Sequence, residues 1–273
     1  MRNDVEFIDD RHFKVGSTSY YCTFPKMMGK QPAGHLPVMK PRSLVERLVR
    51  LFESAPAKTI VELGIRDGGS TALIAELAQP TRLVAIEIAE HPALALSQFI
   101  ASRGLEEVVR PRYGIDQADR DSLTAAIDEE LGTEPIDLVI DDASHWLTET
   151  RSSFETLFPR LRPGALFVIE DWAVDHTYAR GMARVVAADP VGPVAERLSE
   201  HLRANGFVPR RQPLSYLVIE LLLACATRDD AVESVTIDEQ WVVIRRGPAE
   251  LDHREFRISQ RYEDHFDQAS AGR

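Results

Sequence analysis

The stretch IDLVIDDASHW, Ile136 to Trp146, decides how this chain is read. It is an apolar run that ends in two adjacent acids, Asp141 and Asp142, with His145 three positions beyond. GALFVIEDW, Gly164 to Trp172, repeats the form and ends in Glu170 and Asp171. Short apolar runs bounded by turn signals read as buried strands. Successive strand side chains point to opposite faces, so Asp141 and Asp142 diverge and only one of them faces the cleft beside the second acid pair.

Working outward, the same strand rhythm alternates with helical periodicity. KTIVELG (58–64), RLVAIEI (82–88) and EVVRPRYG (107–114) precede the quoted strand, and ALFVIED (165–171) follows it. Between them PRSLVERLVRLFESA, STALIAELA, HPALALSQFIASRG, DRDSLTAAIDEELG and TETRSSFETLFPRLRPG read as helices, two of them closed by Gly104 and Gly132. Apolar strands alternating with helices imply a parallel sheet covered on both faces. VAERLSEHLRANG and LSYLVIELLLACA also read as helices, and ESVTID with QWVVIRRG as a terminal antiparallel hairpin. The expectation is an α/β, doubly wound, mostly parallel seven-stranded Rossmann-like sheet over residues 41–248. Residues 1–40 read as an N-terminal arm or lid and 249–273 as a C-terminal extension. Within the arm, Tyr20 to His35 carries Pro25, Met27, Met28, Gly29, Pro32 and Gly34. These supply bends and adaptable contacts for closing over a ligand.

The chain has 273 residues, 44% of them hydrophobic, and a formal net charge of −11. It can bury a real core, and its acidity argues against nucleic acid as a partner. The N-terminus lacks a signal-peptide pattern. The longest apolar stretch, YLVIELLLACA (216–226), is too short for a bilayer and contains Glu220. Cys22 and Cys225 make neither a disulfide framework nor a zinc spacing. A cytoplasmic protein is expected. The surplus apolarity of Tyr216–Ala226 suggests a homodimer or larger homo-oligomer.

In doubly wound folds ligands bind at the carboxyl ends of the strands. After the first strand stands VELGIRDGGST, with Glu62, Gly64, Gly68 and Ser70. The spacing is not the G-x-G-x-x-G of a dinucleotide site. An acid two positions before the first glycine suits a cationic amino acid group better than a pyrophosphate. Glu87, 23 positions after Gly64, ends the second strand where an acid accepts ribose hydroxyls. Asp116 and Gln117 follow the third strand and are candidate readers of an adenine edge. Together these point to S-adenosylmethionine, with Asp141 assigned to the cofactor side.

With these motifs in register, residues 41–247 resemble the class I S-adenosylmethionine-dependent methyltransferases. IDDASH and VIEDW are similar to the metal-dependent sugar O-methyltransferases of the macrolide-tailoring type and to the related cephalosporin hydroxylase group. The 28 positions from Asp142 to Glu170 also suit the catechol-type methyltransferases. The resemblance implies that Asp142, Glu170 and Asp171 bind magnesium and that His145 is the catalytic base. Asp142 is chosen over Asp141 from the family register. A set of carboxylate oxygens suits a hard cation. The function it implies is methyl transfer to a hydroxyl of a saccharide or glycosylated metabolite, for example the 1-hydroxyl of a methylated mannoside.

Several alternatives stay open at this level. His176 and His35 are rival bases. Trp146 and Trp172 either stack on a sugar or pack in the core, and Arg66 is a substrate contact or a surface charge. Competing functions are a hydroxylase or oxidoreductase of the cephalosporin hydroxylase kind, a macrolide-sugar methyltransferase, and a cofactor-binding scaffold without catalysis.

Overall fold

A computed structural model describes residues 4–23, 33–177, 212–228 and 230–262. The chain opens with four short strands, β1 (Val5–Phe7), β2 (His12–Val15), β3 (Thr18–Cys22) and β4 (Leu36–Val38). They form a small sheet in that order, antiparallel except for β3 and β4, which run parallel. The segment expected as an arm is therefore, in its described part, a sheet. Its cause is local: HFKV and TSYYC flank a turn at Gly16, whose φ of 56° suits glycine. Alternate residues Phe13, Val15, Tyr20 and Cys22 are buried, and the Phe13 and Tyr20 rings stack at 5.0 Å. Residues 24–32, where the lid was expected, lie outside the described residues, as does the helix read at 194–206.

Beyond β4 the alternation is as the sequence implies. α1 (Arg42–Ser54) leads to β5 (Thr59–Leu63), α2 (Gly69–Ala78), β6 (Arg82–Glu87), α3 (Leu94–Arg103) and β7 (Val109–Tyr113). α4 (Arg120–Leu131), β8 (Ile136–Asp141), α5 (Leu147–Leu157) and β9 (Leu161–Glu170) follow. After the break come α6 (Ser215–Thr227), β10 (Val232–Ile237) and β11 (Trp241–Arg246). The strands make one seven-stranded sheet, ordered β10-β11-β9-β8-β5-β6-β7. The five strands from β9 to the edge strand β7 are parallel, and β11 lies antiparallel between β9 and β10.

Period-two alternation along the strands divides the core between the two faces. Ile60, Leu83, Leu138, Ile140 and Val168 pack on one side with α1, α2, α3 and the N-terminal strands. Val61, Leu63, Val84, Val139, Phe167 and Ile169 pack on the other with α4, α5, α6 and residues Phe256 and Ile258. The N-terminal strands thus share the main core rather than forming a separate arm. α2 lies between the two sheets and is buried from Gly69 to Leu77 except for Ser70, as a helix apolar all round must be. Its one buried acid, Glu76, accepts hydrogen bonds from Thr18 Oγ1 (2.6 Å) and Tyr20 Oη (2.7 Å).

The chain runs outward through β5, β6 and β7, then returns to place β8 on the other side of β5. This reversal opens a crevice at the carboxyl ends of β5 and β8. Gly64 sits there with φ 94°, and a Cβ on it would stand 2.4 Å from the Asp142 carbonyl oxygen. No helix among the described residues is long and apolar enough to cross a membrane.

Candidate functional site

A cavity of about 610 Å³ occupies this crevice. Such a volume suits a ligand of nucleoside size or larger. Gly64, Gly69, Ser70, Glu87, Asp116 and Gln117 line one half. Lys40, Asp142, Ser144, His145, Trp146 and Asp171 line the other.

In the first half, carboxylates organise backbone amides. Glu87 Oε2 accepts from the amides of Ile65 (2.9 Å) and Arg66 (2.7 Å), and Oε1 accepts from Ala89 (3.0 Å). A carboxylate has about four lone-pair sites, so Oε1 retains capacity for a ligand hydroxyl. Asp116 is exposed and accepts from the Ala118 amide at 2.8 Å. Gln117 differs from the expected base reader. Its Nε2 donates to Asp141 Oδ2 and Ser153 Oγ, both at 3.2 Å, and its Oε1 accepts from the Ser144 amide at 3.1 Å. Its amide is engaged inside the protein and braces the turn after β8.

Three residues expected to touch the cofactor, Glu62, Gly68 and Asp141, stand behind the cavity wall. Glu62 is 1% exposed. Burial pushes its carboxyl up to about 7, against the lowering effect of Ser70. Gly68 packs on Leu96, which a Cβ would approach to 2.4 Å. Asp141 is buried on the opposite strand face from Asp142, as alternation requires. It accepts from Ser153 Oγ at 2.6 Å, and burial raises its carboxyl to about 6 despite that bond.

The second half gathers acids at the ends of β8 and β9. One oxygen each of Asp142 and Asp171 and one ring nitrogen of His145 lie within 4.8 Å of one another. His145 Nε2 is 3.9 Å from Asp142 Oδ1. Glu170 takes a different place: it is 2% exposed and does not line the cavity. Between it and Asp142 sits Lys40, which sequence reading missed. The Lys40 ammonium is 2.7 Å from both Asp142 Oδ2 and Glu170 Oε2. Burial alone would lower its pKa, but the two carboxylates outweigh burial and hold it charged. Burial and the Asp142 charge push Glu170 upward, while Lys40 pulls it back. Glu170 Oε1 is buried without a hydrogen-bond partner among the described residues. No local signal marks Lys40, because it lies 102 and 130 positions from its two partners.

Arg66, His145 and Asp171 all have left-handed backbone, with φ of 50°, 58° and 52°. Each follows a parallel strand at the cavity. Of the other three such positions among the described residues, Gln79 and Arg228 cap helices and Asp230 lies just before β10. Left-handed backbone costs a non-glycine residue about 1–2 kcal/mol and concentrates at functional sites. Of the rival histidines, neither lines the cavity. His176 Nε2 meets Ser215 Oγ at 2.8 Å, and the His35 ring lies against His12. Trp172 donates its Nε1–H to the Asp238 carbonyl and packs on the core, whereas Trp146 faces the cavity.

The residues that build this crevice are also those with known likeness. A family model described as a methyltransferase domain matches residues 61–172. The 8-demethyl-8-alpha-L-rhamnosyl tetracenomycin-C 2'-O-methyltransferase of Streptomyces olivaceus is 52% identical over 56 residues, 20% of this chain and 14% of that protein. Demethylmacrocin O-methyltransferase of Streptomyces fradiae is 60% identical over 37 residues, 14% of this chain and 9% of that protein. The MycE methyltransferase of the mycinamycin biosynthetic pathway, solved with Mg, SAH and mycinamycin VI, matches at TM-score 0.51 and 22% identity. That match covers 74% of this chain and 49% of the MycE chain, so the likeness spans about half of that structure and only short segments of the curated relatives. At this identity the structural likeness speaks for the fold. The family match covers the crevice, residues 61–172, and the fold it belongs to is the methyltransferase-type α/β fold that MycE shares.

Proposed function

We propose that the chain moves a methyl group from S-adenosylmethionine to a hydroxyl of a saccharide or glycosylated metabolite, with magnesium at the acid cluster. The observation that carries this reading is the convergence of Asp142, Asp171 and His145 on the same cavity as Glu87 and the glycine turn. The two curated relatives named above are O-methyltransferases by name, one of them on a rhamnosyl compound. The hydroxylase alternative has no comparable support. The 1-hydroxyl of a methylated mannoside remains one acceptor to test.

The donor set fits a hard divalent ion. Asp142, Glu170 and Asp171 offer oxygens, and the unpartnered Glu170 Oε1 is a buried acceptor in want of a cation. Three carboxylates and one ammonium leave a formal charge of −2, which one divalent ion balances. The ion would lower the pKa of an acceptor hydroxyl. His145 takes that proton as general base, with its left-handed backbone holding the ring at the cavity. Glu87 accepts from a ribose hydroxyl, the Gly64–Ser70 turn admits the donor's backbone approach, and Trp146 offers an apolar face to a sugar ring. Positioning supplies much of the rate, since methyl transfer needs in-line approach. The reading includes a cytoplasmic location and a homo-oligomer, the latter supported by exposed Tyr216, Ile219 and Leu222 on one face of α6.

The test is a screen of saccharide acceptors with radiolabelled S-adenosylmethionine, with and without chelator. Transfer that stops in chelator and returns with magnesium is expected. Full activity in chelator ends the metal part of the reading.

A further inference from the structure

The acid cluster already contains a cation. Lys40 is 2% exposed, and its ammonium bridges Asp142 Oδ2 and Glu170 Oε2 at 2.7 Å each. It arrives from outside the sheet, from the link between β4 and α1, with Pro37 and Met39 beside it on the cavity wall. Glu170 has no place on that wall, whereas Lys40 does. The ammonium therefore stands between Glu170 and the space from which an ion enters. We propose that Lys40 is a resident cation that competes with the divalent ion for Asp142 and Glu170, and so sets the affinity of the site.

The argument is electrostatic. Glu170, a buried carboxylate, and the part-exposed Asp142 next to it need a positive charge between them. In the ligand-free chain that charge is the ammonium. An ion that uses Asp142 Oδ2 or Glu170 Oε2 must displace it. An ion that uses only Asp142 Oδ1, His145 and Asp171 must still bind a few ångströms from a fixed like charge. Either way Lys40 weakens the ion. A purely structural lysine would act in the opposite direction, because its loss would scatter the ligands and weaken the ion further.

The inference rests on the metal reading above, and the test separates the two. Binding of Mn²⁺ alone, without cofactor or acceptor, is measured by the paramagnetic resonance of the free ion. The variants are Lys40→Met, Lys40→Gln and Lys40→Arg, each checked for a cooperative thermal transition. Lys40→Met and Lys40→Gln should bind Mn²⁺ at least ten-fold more tightly than the unaltered chain. Lys40→Arg, which keeps the charge, should not gain. Equal or weaker binding by both neutral variants overturns the proposal while leaving the metal reading intact. Absence of Mn²⁺ binding by the unaltered chain and by every variant overturns both. A second measurement needs no neutral variant. In chain labelled with ¹⁵N-lysine, the ammonium resonance that Lys40→Arg removes should shift as Mg²⁺ is added. An unchanged resonance at a Mg²⁺ level that displaces bound Mn²⁺ overturns the proposal by itself.

Discussion

The two halves of the cavity treat their acids in opposite ways. At the ends of β5 and β6 the Glu87 carboxylate is met by three backbone amides, so its charge is spread over fixed donors. At the ends of β8 and β9, Asp142, Glu170 and Asp171 crowd together with one ammonium among them, and one Glu170 oxygen is left without a partner. In the first half the carboxylate's charge is met by protein donors. The second is short of positive charge and is completed by what binds. Under the proposed function, one sheet edge would hold a neutral sugar-like group and a cation side by side.

The largest effect that would break this contrast is on the cation side. Asp142→Asn and His145→Ala should each lower methyl transfer by roughly 10²–10⁴, while calorimetry shows S-adenosylhomocysteine still bound. The limb of the pH–rate profile that reports an imidazole losing its proton should vanish in His145→Ala. A retained limb would move the base elsewhere.

On the receptor side, Glu87→Ala should cost about 1.5–3 kcal/mol of S-adenosylhomocysteine binding, as expected for a charged hydrogen bond. It should leave Mn²⁺ affinity unchanged. A loss in Mn²⁺ binding instead would mean that the two halves are not independent.

Glu62 gives a smaller, pH-dependent effect. Burial raises its carboxyl from 4.5 to about 7. Folding therefore favours its protonated form. The associated stability is full below pH 4.5 and is lost as pH rises through 7. Glu62→Gln should unfold later than the unaltered chain at pH 8, by about 1–3 kcal/mol, and the advantage should shrink below pH 4.5. A pH-independent difference in denaturant midpoints would contradict the assignment.

The smallest expected change in stability comes at α6. Ile219 and Leu222 are 52% and 44% exposed, so Ile219→Asp should alter folding by about 0.5 kcal/mol or less. If the stripe pairs with a second copy, light scattering should fall from a dimer mass to near 30.6 kDa. A mass near 30.6 kDa for the unaltered chain at micromolar concentration sinks the dimer.

Strand and helix alternation, the parallel order and the terminal hairpin were legible because each depends on local periodicity. So was the divergence of Asp141 from Asp142, since adjacent strand residues must face opposite ways. The ends of β5, β6, β8 and β9 announced Gly64, Glu87, Asp142 and Glu170 as residues of one sheet edge for the same reason. Other features depended on contacts distant in sequence. Whether Gln117 meets a base or braces Ser144 turns on Asp141 and Ser153, 24 and 36 positions away. The N-terminal strands looked like an arm because their partner face, α2, begins more than thirty residues after β4 starts. Lys40 is the clearest case. Nothing near it in the chain distinguishes it from a surface lysine. Only folding brings it between carboxylates at the ends of two other strands, because burying Glu170 beside Asp142 without a countercharge would cost more than burying the ammonium with it.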